Sequence, residues 1–170
     1  MSAFVHLYDD IRTTEFVGNP LPIQLRNGLQ GQTYGIEAWS SSQLRPWWRL
    51  NLGAATLWKN FELEPGRIDL TNRDALGHDP EYQVLARSQM NLTDRLELNV
   101  GLRWIGEIDA VPGIGDYVEA DGRLALRVSE NLELYVAGRN LLHRTHAESD
   151  DTQRAQLAQR SLYAGTRVRF

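Results

Sequence analysis

Apolar and polar residues alternate with a period of two along most of this chain, the spacing that turns successive side chains of an extended strand to opposite faces. In the clearest stretch, 96–104, Leu96, Leu98, Val100, Leu102 and Trp104 lie on one face and Glu97, Asn99, Gly101 and Arg103 on the other. The last nine residues repeat the pattern, with Leu162, Ala164, Thr166, Val168 and Phe170 opposed to Tyr163, Gly165, Arg167 and Arg169. Segments 47–61, 81–92, 117–129 and 132–142 alternate likewise, and less regular strands precede them at 2–12 and 29–42, which predicts eight strands. Helical periodicity barely appears. Its one trace is Asp150–Gln159, helix formers behind a capping acid, which predicts a helical turn inside a loop.

The connections alternate too. Gln43–Pro46, Thr93-Asp94 and Glu130-Asn131 read as tight turns, while 13–28, 62–80, 109–116 and 143–160 are long and polar. Membrane barrels have short periplasmic turns on one rim and longer outer loops on the other. Strands that cross the hydrocarbon layer need about 9–11 tilted residues, against about 5–6 in ordinary sheets, and the segments here match the longer value. Aromatic residues fall near strand ends, namely Trp47, Trp48, Trp58, Phe61, Tyr82, Trp104, Tyr117 and Phe170, where two interfacial girdles are expected.

The polar positions decide which face is wet. Arg49, Arg87, Glu97, Arg103, Arg123, Arg127, Glu133 and Arg139 all fall on the polar side of their strands. Burying them in a dry interior costs several kcal/mol for each unpaired ion, so that side must border water or be richly paired. These eight residues are the candidates for the lining of a watery lumen. The fold expected is all-β: an antiparallel, up-and-down transmembrane β-barrel segment of about eight strands. Periodicity alone describes equally a soluble lipocalin-like binding barrel with its apolar face inward.

Composition narrows the classes further. The chain has 170 residues, 42% of them hydrophobic and 24% charged, which suits a single folded domain rather than disorder. A net charge of −4 with no basic stripe argues against a nucleic-acid partner. Cysteine is absent, which removes disulfides, thiolate metal sites and cysteine nucleophiles together. No apolar run approaches the roughly 18–20 residues of a spanning helix. Phe4, Val5, Leu7 and Tyr8 run into Asp9 and Asp10 without a basic lead or cleavage site, so no export signal is expected in the chain as it stands.

Little catalytic chemistry is visible. His143 and His146, followed by Glu148, Asp150 and Asp151, can be read as ligands for a borderline metal. A solvated loop explains them better, since loop ligands without supporting partners rarely make a specific site. The acid pairs Asp9-Asp10 and Asp150-Asp151 lack a neighbouring base or nucleophile, and Pro112-Gly113-Ile114-Gly115 lacks the lysine of a phosphate cradle. No enzyme, cofactor or metal site is expected.

The order of the motifs carries a resemblance. Ser2-Ala3-Phe4 and Tyr8-Asp9-Asp10 are followed by Asn27-Gly28, Thr33-Tyr34-Gly35-Ile36-Glu37 and the turn Arg45-Pro46-Trp47-Trp48. Then come Gly77-His78-Asp79-Pro80-Glu81-Tyr82, Leu96-Glu97-Leu98, Gly101-Leu102-Arg103-Trp104, Gly138-Arg139-Asn140-Leu141-Leu142 and a terminal Phe170. Over its whole length the chain resembles the carboxy-terminal part of the barrel of TonB-dependent outer-membrane receptors. His143 and His146 depart from the resemblance, which leads one to expect an acid and a tyrosine there.

The resemblance implies a location in the outer membrane of a Gram-negative bacterium and a part in energy-coupled uptake of a scarce nutrient, such as an iron-siderophore complex or cobalamin. It implies as partners the membrane lipid, the barrel-insertion machinery, the plug and upstream strands of the receptor and, through them, TonB. The strand of Leu162, Ala164, Thr166, Val168 and Phe170 would be the signal that the insertion machinery reads. Signal peptide, TonB-engaging segment and plug are not represented in residues 1–170, so the chain reads as a fragment that does not transport alone. A self-closed small outer-membrane barrel of eight strands is the alternative.

Overall fold

A computed structural model describes residues 1–16, 22–70, 79–107, 115–147 and 157–170. Among these residues ten strands form: β1 (Ser2–Phe16), β2 (Ile23–Arg45), β3 (Trp48–Leu63), β4 (Tyr82–Asn91), β5 (Leu96–Ile105), β6 (Tyr117–Arg127), β7 (Leu132–Arg139), β8 (Thr145–Ala147), β9 (Leu157–Gln159) and β10 (Ser161–Val168). Eight of them make one antiparallel sheet in the order β1-β2-β3-β4-β5-β6-β7-β10, and β8 pairs with β9 in a small hairpin set between β7 and β10 in the chain. Each of the first six strands therefore pairs with the next, and β7 with β10, as an up-and-down wall requires.

Three differences from the sequence reading have local causes. The loop expected at 13–28 is largely strand, because β1 and β2 keep pairing as far as Phe16 and Ile23. Alternation fails there since the ladder contains irregularities between Tyr8 and Arg12, with Asp10 in the left-handed region at φ 57°. Such bulges shift which residues share a face. The strand expected at 132–142 stops at Arg139, because Asn140 adopts φ 53° and turns the chain out of the ladder. The helical turn expected at Asp150–Gln159 lies mostly outside the described residues, and its last part, Leu157–Gln159, is β9.

Among the described residues no second layer packs on this sheet, so the exposure of its two faces reports which way it curls. On the polar face Glu119, Ala125 and Ala137 are 1%, 2% and 5% exposed. On the opposite face Leu124, Leu126, Leu134 and Val136 are 42–55% exposed, and Leu162 reaches 71%. From β4 to β10 most apolar side chains point outward from the curve and the charged ones inward. A soluble barrel with its leucines at the centre has the reverse arrangement.

Aromatic residues mark one height on the apolar face. Tyr34 pairs across the ladder with Trp58, their rings 5.5 Å apart, and Trp58 meets Tyr82 at 6.2 Å. Trp104, opposite Val84 in the neighbouring ladder, extends the row onto β5. Of the residues expected in girdles, Phe61 and Tyr117 belong instead to the polar face, being in register with Gly31 and Ile105 rather than with the apolar row, while Phe170 follows the end of β10. Tyr34 was not among the expected girdle residues, because its strand alternates less cleanly.

Close strand packing near β2 rests on glycine. A Cβ at Gly35 would run into the Thr56 carbonyl oxygen and the Phe4 ring, and one at Gly31 into the Asn60 carbonyl oxygen and Phe61. Gly35→Val should therefore disrupt the β1–β2–β3 register and abolish the cooperative unfolding transition, read by far-UV circular dichroism during urea titration in lipid. Leu124→Arg should cost about 2–4 kcal/mol in the same assay, the range for arginine on the lipid side near the bilayer midplane. A cost near zero would mean that this face meets water.

Candidate functional site

Strand pairing decides which polar residues meet. Arg49, Arg87, Glu97, Arg103, Arg123, Arg127, Glu133 and Arg139 all fall on the inward-curving face, because each occupies the alternate position of its strand in a continuous register from β3 to β10. Four of them converge. Arg87 of β4, Arg103 of β5, Arg123 of β6 and Arg139 of β7 line one open groove of about 350 Å³, together with Gln89, Asn99, Asp121 and Tyr163.

The four guanidinium groups are not equivalent. Arg123 is held within the wall: it pairs with Glu133 at 2.5 Å and with Glu97 at 3.8 Å, and lies 4.8 Å from the centre of the Tyr135 ring. Glu133 also takes Arg167 of β10 at 3.4 Å, so one carboxylate ties the last strand to β6. Glu97 accepts a hydrogen bond from the Asn99 amide as well. Arg103 donates to the Asn140 side-chain oxygen at 3.3 Å and sits 5.9 Å from the centre of the Tyr117 ring. Arg87 and Arg139 make no ion pair among the described residues. Two arginines thus build the groove and two present charge to it.

Arg49 and Arg127 fall outside this cluster. Arg49 donates to the Gln43 side chain at 3.1 Å, near the β2–β3 turn. Arg127 lines a larger open cavity of about 740 Å³ at the short-turn end, with Trp47, Arg95, Glu97 and Glu133 among its walls. An aromatic row shares the polar face on the other side of the sheet. Phe4 and His6 stack at 5.2 Å, His6 meets Tyr8 edge-on at 6.3 Å, and Tyr8 lies 5.9 Å from Phe61. This row was not anticipated, although Phe4, His6 and Tyr8 stand at alternate positions of the first strand.

The long-loop end is tied down by side chains. Arg67, in the segment after β3, reaches Glu15 at 3.4 Å and Glu64 at 3.6 Å, and its stem lies where a Cβ at Gly28 would be. The Glu15 carboxylate is buried and takes the Thr13 hydroxyl at 2.7 Å, which in turn accepts the Gly28 N–H at 3.2 Å. These contacts explain why the β1–β2 hairpin continues where alternation stops.

Among the described residues no group of three or more possible metal ligands occurs. His143 faces Glu119, its Nδ1 2.5 Å from the carboxylate. The side chain of His146, together with Asp150, Asp151 and the stretch Pro112 to Ile114, lies outside the described residues. Asp9 and Asp10 sit at the irregularity of β1 and serve the turn of the backbone.

No family model matches the sequence, and no curated protein does. The structure does match solved ones. The pyoverdine outer membrane receptor FpvA from Pseudomonas aeruginosa PAO1 aligns with a TM-score of 0.73 at 16% identity, over 99% of this chain and 26% of its own. The siderophore receptor PiuA from Acinetobacter baumannii gives 0.73 at 14% identity, over 97% and 25%. The ferric enterobactin receptor PfeA from Pseudomonas aeruginosa gives 0.70 at 16%, over 99% and 28%. The chain thus spans about a quarter of the length of these receptors, and its fold is that of an eight-strand stretch of their barrel wall.

Proposed function

We propose that residues 1–170 form part of the barrel wall of a TonB-dependent receptor in the outer membrane of a Gram-negative bacterium, engaged in energy-coupled uptake of a scarce nutrient such as an iron-siderophore complex or cobalamin. The observation that carries the reading is the orientation of the sheet: leucines and an aromatic row on the outer curve, an arginine-lined groove on the inner one. In lipid every backbone amide must pair with a neighbour, so the outer curve can contact acyl chains only as part of a closed wall. β1 and β10 are not hydrogen-bonded to each other among the described residues. That favours closure by further strands over a self-closed barrel of eight.

The inner face then borders the lumen. Cationic groups in a cavity with low-dielectric walls focus their field and raise the local concentration of anions. Arg87 and Arg139 are the groups placed to attract an anionic ferric chelate, while the outer loops near them complete its capture. Plug, TonB-engaging segment and the remaining strands belong to the rest of the receptor. Lipid, the barrel-insertion machinery and TonB are its partners, and the alternating strand of Leu162, Ala164, Thr166 and Val168 with Phe170 beyond it is what the insertion machinery reads. No part of the reading requires catalysis or a cofactor.

Two outcomes are expected. In the whole receptor, Arg87→Ala with Arg139→Ala should weaken binding of an anionic ferric chelate by at least about tenfold, as expected when charged hydrogen bonds worth about 1.5–3 kcal/mol are lost. Tryptophan quenching on titration with the chelate reads this, and an unchanged affinity would remove the groove from the site. Expressed alone behind an added export signal, residues 1–170 should appear in the outer-membrane fraction without supporting energy-dependent uptake of iron chelates. Uptake by the chain alone would overturn the fragment reading.

A further inference from the structure

The segment leaving β7 is fastened to β6 residue by residue after the strand ladder has ended. Asn140 N–H donates to the Asp121 carboxylate at 3.0 Å. Leu141 N–H donates to the Ala120 carbonyl at 2.9 Å. Leu142 N–H donates to Oε2 of Glu119 at 3.3 Å, and His143 Nδ1 meets Oε1 of the same carboxylate at 2.5 Å. Four consecutive residues are thus held by three consecutive residues of β6, two of them through carboxylates. Regular ladder pairing ends at Gly138 opposite Gly122, and with Asn140 in the left-handed region one backbone bond, Leu141 to Ala120, is left to continue it, so the carboxylates supply the rest.

Glu119 is the centre of the arrangement. It is 1% exposed, and it also takes the N–H of its neighbour Ala120 at 3.3 Å. A buried carboxylate is tolerated only where donors surround it. Arg103 stands directly opposite it in the β5–β6 register, and Asp121 follows two residues along the same face. Asn140 in turn accepts from Arg103 and donates to the Gln159 carbonyl at 3.3 Å, so the same fastening reaches the arginine groove and the foot of the β8–β9 hairpin.

We infer that Glu119 and His143 form a latch that seats the 140–143 segment on β6 and thereby fixes both Arg103 at the edge of the groove and the base of the β8–β9 hairpin. Glu119, Asp121, Asn140 and His143 are positioning residues, acting on the groove through Arg103. The role of the groove rests on the proposed receptor function; the latch itself does not.

The test is limited trypsin digestion of the full chain in lipid, following cleavage after Arg144, just beyond the latch, against cleavage after Arg95 in the β4–β5 turn. Glu119→Gln removes the charge and His143→Asp sets two carboxylates against each other. Each should speed cleavage at Arg144 about tenfold relative to Arg95, the scale of one lost charged hydrogen bond in a local opening. Combining Glu119→Gln with His143→Asp restores a donor facing an acceptor and should bring the ratio back toward that of the unaltered chain. Equal ratios for all variants would overturn the latch, as would single variants that loosen the segment without recovery in the double. Because the readout involves no ligand, it stands or falls independently of any loss of chelate binding in the Arg87 and Arg139 variants.

Discussion

On the proposed reading one constraint governs every strand of this wall: a backbone amide that meets hydrocarbon must find its partner on the neighbouring strand, since no water is there to replace it. The continuous ladders from β1 through β7 to β10 satisfy that constraint across the sheet's interior. The constraint also fixes register. Sliding one strand by a residue exchanges its faces, which here would carry Arg87, Arg103 or Arg123 to the outer curve and a leucine or tryptophan to the inner one. The paired and stacked groups of the inner face, Glu133 between Arg123 and Arg167 above all, reinforce the register that the outer face demands.

The two faces divide the remaining work. On the outer curve leucines, valines and aromatic rings are half-exposed, and specific side-chain bonds are made by the tryptophan rings, Trp48 to Ser88 at 2.9 Å and Trp104 to Asp116 at 3.3 Å. On the inner curve charges are close together, and those without a partner in the wall acquire significance because their neighbours have one. Arg123 is committed to two carboxylates and a ring, whereas Arg87 and Arg139 are not so held, although all three occupy equivalent alternate positions. The difference arises from diagonal neighbours: Arg123 stands opposite Asn99 and Ala137 and reaches along the same face to Glu97 and Glu133 on the adjacent strands.

Much of this was legible in the sequence, and the reason is the period of two. Alternation over 96–104 and 162–170 located β5 and β10, and the same pattern placed all eight candidate residues on one side of the sheet. Sequence reading failed where side chains rather than alternation decide the backbone. The β1–β2 hairpin persists through 13–16 because Thr13, Glu15, Gly28 and Arg67 satisfy one another across more than fifty residues of sequence, which no local pattern records. Convergence of Arg87, Arg103, Arg123 and Arg139 was likewise invisible, since it depends on the stagger between four strands and not on any one of them.

The same distinction separates the two ends of the wall. At the short-turn end, backbone bonds close the connections: Asn91 N–H reaches the Trp47 carbonyl, and Val128 N–H the Leu132 carbonyl. At the other end, among the described residues, backbone bonds such as Leu70 N–H to the Thr14 carbonyl are joined by side chains such as Glu119, Asp121 and Arg67. Backbone ladders are indifferent to sequence, but side-chain fastenings are specific to it, so a wall can keep its strands while its loops are refastened by exchanging a few charged residues. His143 against Glu119 is such an exchange: a basic residue at a position where the resemblance leads one to expect an acid, accommodated by a buried carboxylate on the neighbouring strand.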